Sequence, residues 1–297
     1  MKIYYTPGRR LFSIFNYIFL ALATFVCIVP MINVLAVSFS TSWAATGGLV
    51  GLWPVGFTLN SYGYVLRDSR FMMSFGIAVE RLALGVMVNM ALTILAAYPL
   101  SKEKGAFRMR TFYSWYFLVT ILFGGGLIPW FLTIKATGLI DSIWALILPG
   151  AVPVFNVVLL MNFFRQLPKE ISESAFIDGA DHWTILFKIY VPLSMPAIAT
   201  LILFSAVGHW NSWFDGLILM NRPEHQPLQS YLQTVVTGLN YKMWRGLTSA
   251  DIQLLSTIND RTAKAAQVFI AALPIMCIYP FLQRFFMTGI VLGSVKG

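Results

Sequence analysis

Leu167-Pro168-Lys169-Glu170-Ile171-Ser172-Glu173-Ser174-Ala175-Phe176-Ile177-Asp178-Gly179-Ala180-Asp181-His182-Trp183-Thr184, running on to Lys188-Ile189-Tyr190-Val191-Pro192, is a polar island between two long apolar runs. Pro168 suits the first turn of a helix, where an N–H has no partner anyway. Glu170 and Glu173 follow closely, where the helix dipole favours carboxylates. Gly179 suits the left-handed residue that stops a helix. Asp181 can then cap a second short helix leading into the next apolar run. Two short helices therefore meet at a sharp corner. Ile171, Ser174, Ala175 and Asp178 fall at i, i+3, i+4 and i+7, on one side of the first helix. The small residues Ser174 and Ala175 let that side approach a partner closely. Pattern alone leaves open an interfacial helix lying on lipid headgroups.

Working outward, apolar runs long enough to cross hydrocarbon need roughly 20 residues each. There are six: 11–37, 72–100, 112–134, 143–164, 191–220 and 265–286. Each is predicted to be helical, because a span in lipid must satisfy its own backbone hydrogen bonds. Pro30, Pro129, Pro149, Pro153, Pro196, Pro274 and Pro280 lie in or at the ends of these runs and predict kinks. The fold class is all-α, a polytopic membrane protein of six transmembrane helices in a single domain, residues 1–297. Leu11–Val37 is too long for the apolar core of a signal peptide and no A-x-A site follows, so it reads as a retained first span. Lys2, Arg9 and Arg10, then Lys102, Lys104, Arg108 and Arg110, then Arg165, Lys169 and Lys188, then Arg284 and Lys296 fall on one side of this topology. That side is predicted to be cytoplasmic, giving N-in and C-in, with 165–190 inside and the longer segments 38–71 and 221–264 outside.

Composition agrees. Of the 297 residues, 58% are hydrophobic and only 11% charged, against about 25% charged in soluble domains. So few charges cannot clothe a water-soluble chain of this length. The net charge of +9 is what cytoplasmic loops collect, and no basic stripe with interleaved aromatics points to nucleic acid. Cys27 and Cys277 sit in apolar runs and read as small buried hydrophobes, not a disulfide.

The corner segment resembles the cytoplasmic signature loop of binding-protein-dependent ABC importers. That signature runs Glu-Ala-Ala, three residues, Gly, nine residues, then Ile-x-Leu-Pro. Here it is Glu173-Ser174-Ala175, Gly179, Ile189, Val191 and Pro192, in register, with Ser174 and Val191 as mild departures. Ile177-Asp178-Gly179-Ala180 is similar to the carbohydrate-uptake, maltose-type branch. So are Leu95-Ala96-Ala97-Tyr98-Pro99-Leu100-Ser101, Gly125-Gly126-Leu127-Ile128-Pro129 with Gly138-Leu139, Ala145-Leu146-Ile147-Leu148-Pro149-Gly150, Trp210-Asn211-Ser212-Trp213-Phe214, and the tail from Gly289 to Gly297. Six spans resemble the smaller permease subunit of that branch. The resemblance implies a type I importer permease fold in the bacterial cytoplasmic membrane. It implies that Glu173, Ser174, Ala175, Asp178, Gly179 and Ala180 form a coupling helix docking on an ATPase subunit. It further implies a heterodimer with a second permease, two ATPase subunits, an extracytoplasmic sugar-binding protein and a saccharide cargo, which in some such importers is large and acidic or pectin-like.

The chain is expected to be a non-catalytic subunit. It lacks a G-x-x-x-x-G-K-[ST] loop, so ATP and Mg are expected on the partner ATPases and no cofactor on this chain. Gly124-Gly125-Gly126 reads as helix packing or bending. His182, His209 and His225 have no metal-ligand spacing. No nucleophile elbow or paired carboxylates support a membrane hydrolase. A secondary transporter lacks support from any inverted repeat. Trp210, Asn211, Trp213 and Asp215, near the outer end of the fifth run, suit a saccharide, since sugar rings stack on aromatics and hydroxyls bond amides and carboxylates. They equally suit an interfacial aromatic belt. Glu80 and Arg81 sit about 12 Å into the second run at 1.5 Å per residue. Charges that deep face a pathway or a partner subunit, or snorkel to the surface. Being adjacent, they point to separate partners.

Overall fold

Three of the six apolar runs form continuous helices and three are broken, and the local sequence explains which. The computed structural model describes residues 7–103, 105–237 and 260–294. Pro7–Ser38, Ser69–Ser101 and Asp260–Ser294 are unbroken, with Pro30, Pro99, Pro274 and Pro280 accommodated inside them. The third run breaks between Arg110–Leu122 and Leu127–Ala136, which bend by 116°. Its glycines make the bend: Gly126 has φ 82°, a conformation glycine adopts without steric cost. The fourth run bends by 48° between Ile143–Gly150 and Val154–Gln166. Pro153 lacks an N–H and disfavours helix in the residue before it. The fifth run bends by 82° between His182–Leu193 and Met195–Asn211, with the break at Ser194, between Pro192 and Pro196. Each broken pair counted as one crossing gives six spans, and among the described residues there is no strand.

The fifth run departs from expectation. Its helix stops at Asn211, Ser212 turns extended, and Phe214–Leu219 is a separate short helix. Lys2, Lys104, Lys296, residues 238–259 of the second outer segment and 295–297 of the tail lie outside the described residues.

The chain divides into two compact units, Met1–Ser69 with Thr234–Ala272, and Arg70–Gln233 with Leu273–Gly297. In the first, the segment after span one folds back on that helix. Asn33 Nδ2 donates to Gly51 O at 2.7 Å, Ser38 Oγ and Tyr62 Oη lie 2.7 Å apart, and Phe39 stacks on Phe57. Arg261 closes it with a 3.1 Å bond to Ala45 O. In the second, spans two, four and five meet at a core of Ala97, Tyr98, Val157, Leu160, Phe164, Ile185 and Leu201. Nearly all the apolar side chains of span one from Leu11 to Met31 are exposed, as expected where lipid or another subunit replaces water. Cys27 and Cys277 are free and exposed, not buried as predicted, because the apolar surfaces carrying them face outward from this single chain.

Candidate functional site

Lys169–Ile177 is a helix, and Pro168 precedes its first residue. It ends in the double bond of a Schellman stop: Ala180 N donates to Ala175 O at 2.9 Å and Gly179 N to Phe176 O at 3.0 Å. Gly179 has φ 84°, so glycine serves the left-handed position this stop requires. Asp181 then caps His182–Ile185, accepting Thr184 N at 2.9 Å. Hydrogen bonds from Thr184 hold the Asp181 carboxyl below its ordinary pKa. The corner read from sequence is therefore present, with each turn made by the residue type expected.

Its faces are divided differently from expectation. Ile171, Ser174 and Asp178 face outward with Glu173, whereas Ala175 packs against the core and Ser172 is buried. Ala180 also packs inward, completing the contact across the stop with Ala175. Ile177 is 87% exposed and Gly179 has nothing within 4 Å of where a Cβ would stand. The tip is thus a bare apolar surface on a rigid corner.

The corner is braced by residues the sequence reading did not connect to it. Tyr98, at the end of span two, lies 3.1 Å through Oη from His182 Nδ1. Its ring meets Tyr190 edge-on at 5.2 Å, and Phe176 meets His182 at 5.0 Å. Lys102 Nζ donates to Tyr190 Oη at 2.9 Å and sits over both tyrosine rings. Arg165 bonds Leu100 O at 3.0 Å, and Lys169 pairs with Glu103. Tyr190 ends a π-helical turn, Leu186–Tyr190, a feature frequent at functional positions. The Leu95–Ser101 motif and the signature segment are thus one assembly.

The outer set splits. Arg81 is 3% exposed and forms a bidentate ion pair with Asp215, adding bonds to Ser212 O and Leu146 O. It does not snorkel. Asp215 also accepts from Ser212 Oγ and Gly216 N. Trp210 is 2% exposed and meets Phe75 edge-on, so it is part of the core. Asn211, Trp213 and Glu80 are exposed. The adjacent Glu80 and Arg81 do point apart. Sequence reading missed Asn89 and the role of His209: His209 Nε2 lies 2.6 Å from Asn89 Oδ1, and Asn89 Nδ2 donates to Gly150 O at 2.9 Å. Arg81, Asn89 and Thr93, polar residues on one face of an apolar span with the small Gly85 between them at the same four-residue spacing, were the signal that could have found them.

No family profile matches the chain. It is 38% identical over 292 residues, 97% of this chain and 99% of the relative, to the polygalacturonan/rhamnogalacturonan transport system permease protein YtcP of Bacillus subtilis strain 168. It is also 38% identical over 296 residues, 98% of this chain and 97% of the relative, to Protein LplC of the same organism. A chain in the crystal structure of a bacterial ABC transporter involved in the import of the acidic polysaccharide alginate superposes with TM-score 0.87, at 30% identity, over 95% of this chain and 99% of that one.

Proposed function

Because the chain belongs to the permease family of sugar ABC transporters, we propose that it carries an oligo- or polysaccharide, of the acidic polyuronate or pectin-derived kind, from an extracytoplasmic binding protein into the cytoplasm. It works in the cytoplasmic membrane with both termini inside, paired with a second permease. Two separate ATPase subunits bind ATP and Mg and supply the energy. Glu173, Ser174, Asp178 and Gly179 form the outward side of the coupling corner, and Ala175 and Ala180 fix it to the bundle. Ligand-driven change needs a contact that differs between states, and a rigid corner with an exposed apolar tip can give that contact to a closing ATPase pair. Asn211, Trp213 and Glu80 are the exposed residues offered to the saccharide or to the partner permease.

The observation that carries this reading is the bare tip at Gly179, closed by a complete Schellman stop. Gly179→Asn keeps the left-handed conformation, which asparagine tolerates, and adds little bulk. Gly179→Trp puts a large ring on the tip. In proteoliposomes of the complete importer with pectin-derived oligosaccharide, Asn is expected to keep uptake. Trp is expected to lower it by at least about tenfold, which a 1.4 kcal/mol loss of docking energy suffices to do, while ATP is still hydrolysed. Normal uptake by the Trp variant would remove the coupling role.

A further inference from the structure

Span four breaks at Gly150, and the last carbonyls of a helix have no donor within it. In hydrocarbon a bare carbonyl is costly. Two of these carbonyls receive donors from span two: Arg81 Nη2 reaches Leu146 O at 3.4 Å and Asn89 Nδ2 reaches Gly150 O at 2.9 Å. Each donor is in turn held from the fifth run. Asp215 takes both terminal nitrogens of Arg81. His209 holds Asn89, and the direction of that bond is determined by the network. Gly150 O can only accept, so Asn89 turns its amide nitrogen to it and its Oδ1 to His209. His209 Nε2 therefore carries the proton and donates at 2.6 Å. Gly85, one turn from each donor, leaves room for the ring: a Cβ there would stand 2.5 Å from His209 Nε2.

We infer that Arg81–Asp215 and Asn89–His209 are two rungs of one polar clasp that holds the break in span four, so that these four are positioning residues for transport and not saccharide ligands. Both terminal nitrogens of Arg81 and both polar atoms of the Asn89 amide are already engaged; Arg81 Nε has no partner but is buried, and Arg81 and Asn89 are only 3% and 4% exposed. A sugar hydroxyl needs free groups to bind. Polar pairs between spans in lipid act as specific ties, because apolar contact there is no better than contact with lipid tails. The clasp makes spans two, four and five change state as one body, keeping the angle of the break while they do so.

The inference rests on the transport reading, and a native importer that moves no saccharide defeats that reading before any variant is made. In the complete reconstituted importer, His209→Leu and Asn89→Leu are expected to lower maximal uptake about tenfold, the effect of one uncovered buried polar group. The half-saturating concentration of saccharide-loaded binding protein should not change. His209→Gln, whose amide can still donate to Asn89, restores uptake. Gly85→Ala is expected to impair the native chain and to cost nothing further in a His209→Ser chain, where the ring is gone. A changed half-saturation with intact maximal rate makes His209 a sugar contact and overturns the clasp. So does an equal effect of Gly85→Ala in both chains, or normal uptake by both leucine variants. Should the leucine variants fail to assemble, the glutamine rescue and the Gly85 cycle still decide.

Discussion

Asp141 shows how one residue can organise a connection between spans. It is the only described non-glycine residue with positive φ, 63°. Its N–H donates to Leu219 O at 2.9 Å, its Oδ1 accepts the backbone N–H of Asn221 and Arg222 at 3.1 Å each, and its carboxylate pairs with Arg222 Nε at 3.2 Å. His225 Nδ1 lies 3.0 Å from its carbonyl. Burial pushes the Asp141 carboxyl up, but the bonds from Arg222, His225 and Asn221 outweigh it, and the net position lies below the ordinary 3.8. A carboxyl lowered in the native state stabilises above its unfolded value, and the stabilisation fades as pH falls through the lowered native one. The corner 141 with 221–225 is therefore expected to be fully protected at pH 5 and above and to loosen only below about pH 4. Amide exchange at Asn221 and Arg222 checks this. Asp141→Ala should speed that exchange more than Asp141→Asn. Alanine strains a left-handed residue by about 1–2 kcal/mol and loses the acceptor, whereas asparagine keeps both features.

Among the elements, the end of span two matters most to the corner. Tyr98 is buried and shared by His182, Tyr190 and Lys102. The signature helix therefore does not move freely on a loop; it leans on span two through an aromatic cluster. Tyr98→Phe removes only the bond to His182, and is expected to leave the melting temperature of the detergent-purified importer nearly unchanged. Tyr98→Ala empties a buried site and should cost about 3 kcal/mol. It is expected to lower both the melting temperature and the saccharide moved per ATP hydrolysed. If Tyr98→Ala left that ratio intact, the brace would have no part in coupling. The break in span four follows the same logic: Pro153 relocates backbone partners, and Arg81 and Asn89 of span two supply donors to Leu146 O and Gly150 O.

At the scale of the whole molecule, span one carries an extended run of exposed apolar side chains, among them Phe12, Phe15, Phe19 and Phe25. Exposed apolar patches of such extent mark lipid or subunit contacts. The second permease of a sugar importer is expected to supply part of that cover. Size-exclusion chromatography with light scattering after co-expression should show this chain in a complex with a second permease and two ATPase copies. A stable, active monomer would contradict that assembly.

How much was legible in the sequence differs by feature. Apolar runs of about 20 residues made the six spans readable, because lipid tolerates only self-satisfied helices. The corner was readable because Pro168, Gly179 and Asp181 each act on their immediate neighbours, through φ, a missing N–H and a capping oxygen. The inward turn of Ala175, the burial of Trp210, the pairing of Arg81 with Asp215 and that of Asn89 with His209 were not. The two pairings join groups 134 and 120 positions apart, and all of these depend on side chains brought together only when spans two, four and five pack. Local chemistry wrote the elements and the corner into the chain, and long-range satisfaction of buried polar groups in the folded bundle decided which side chains do the holding.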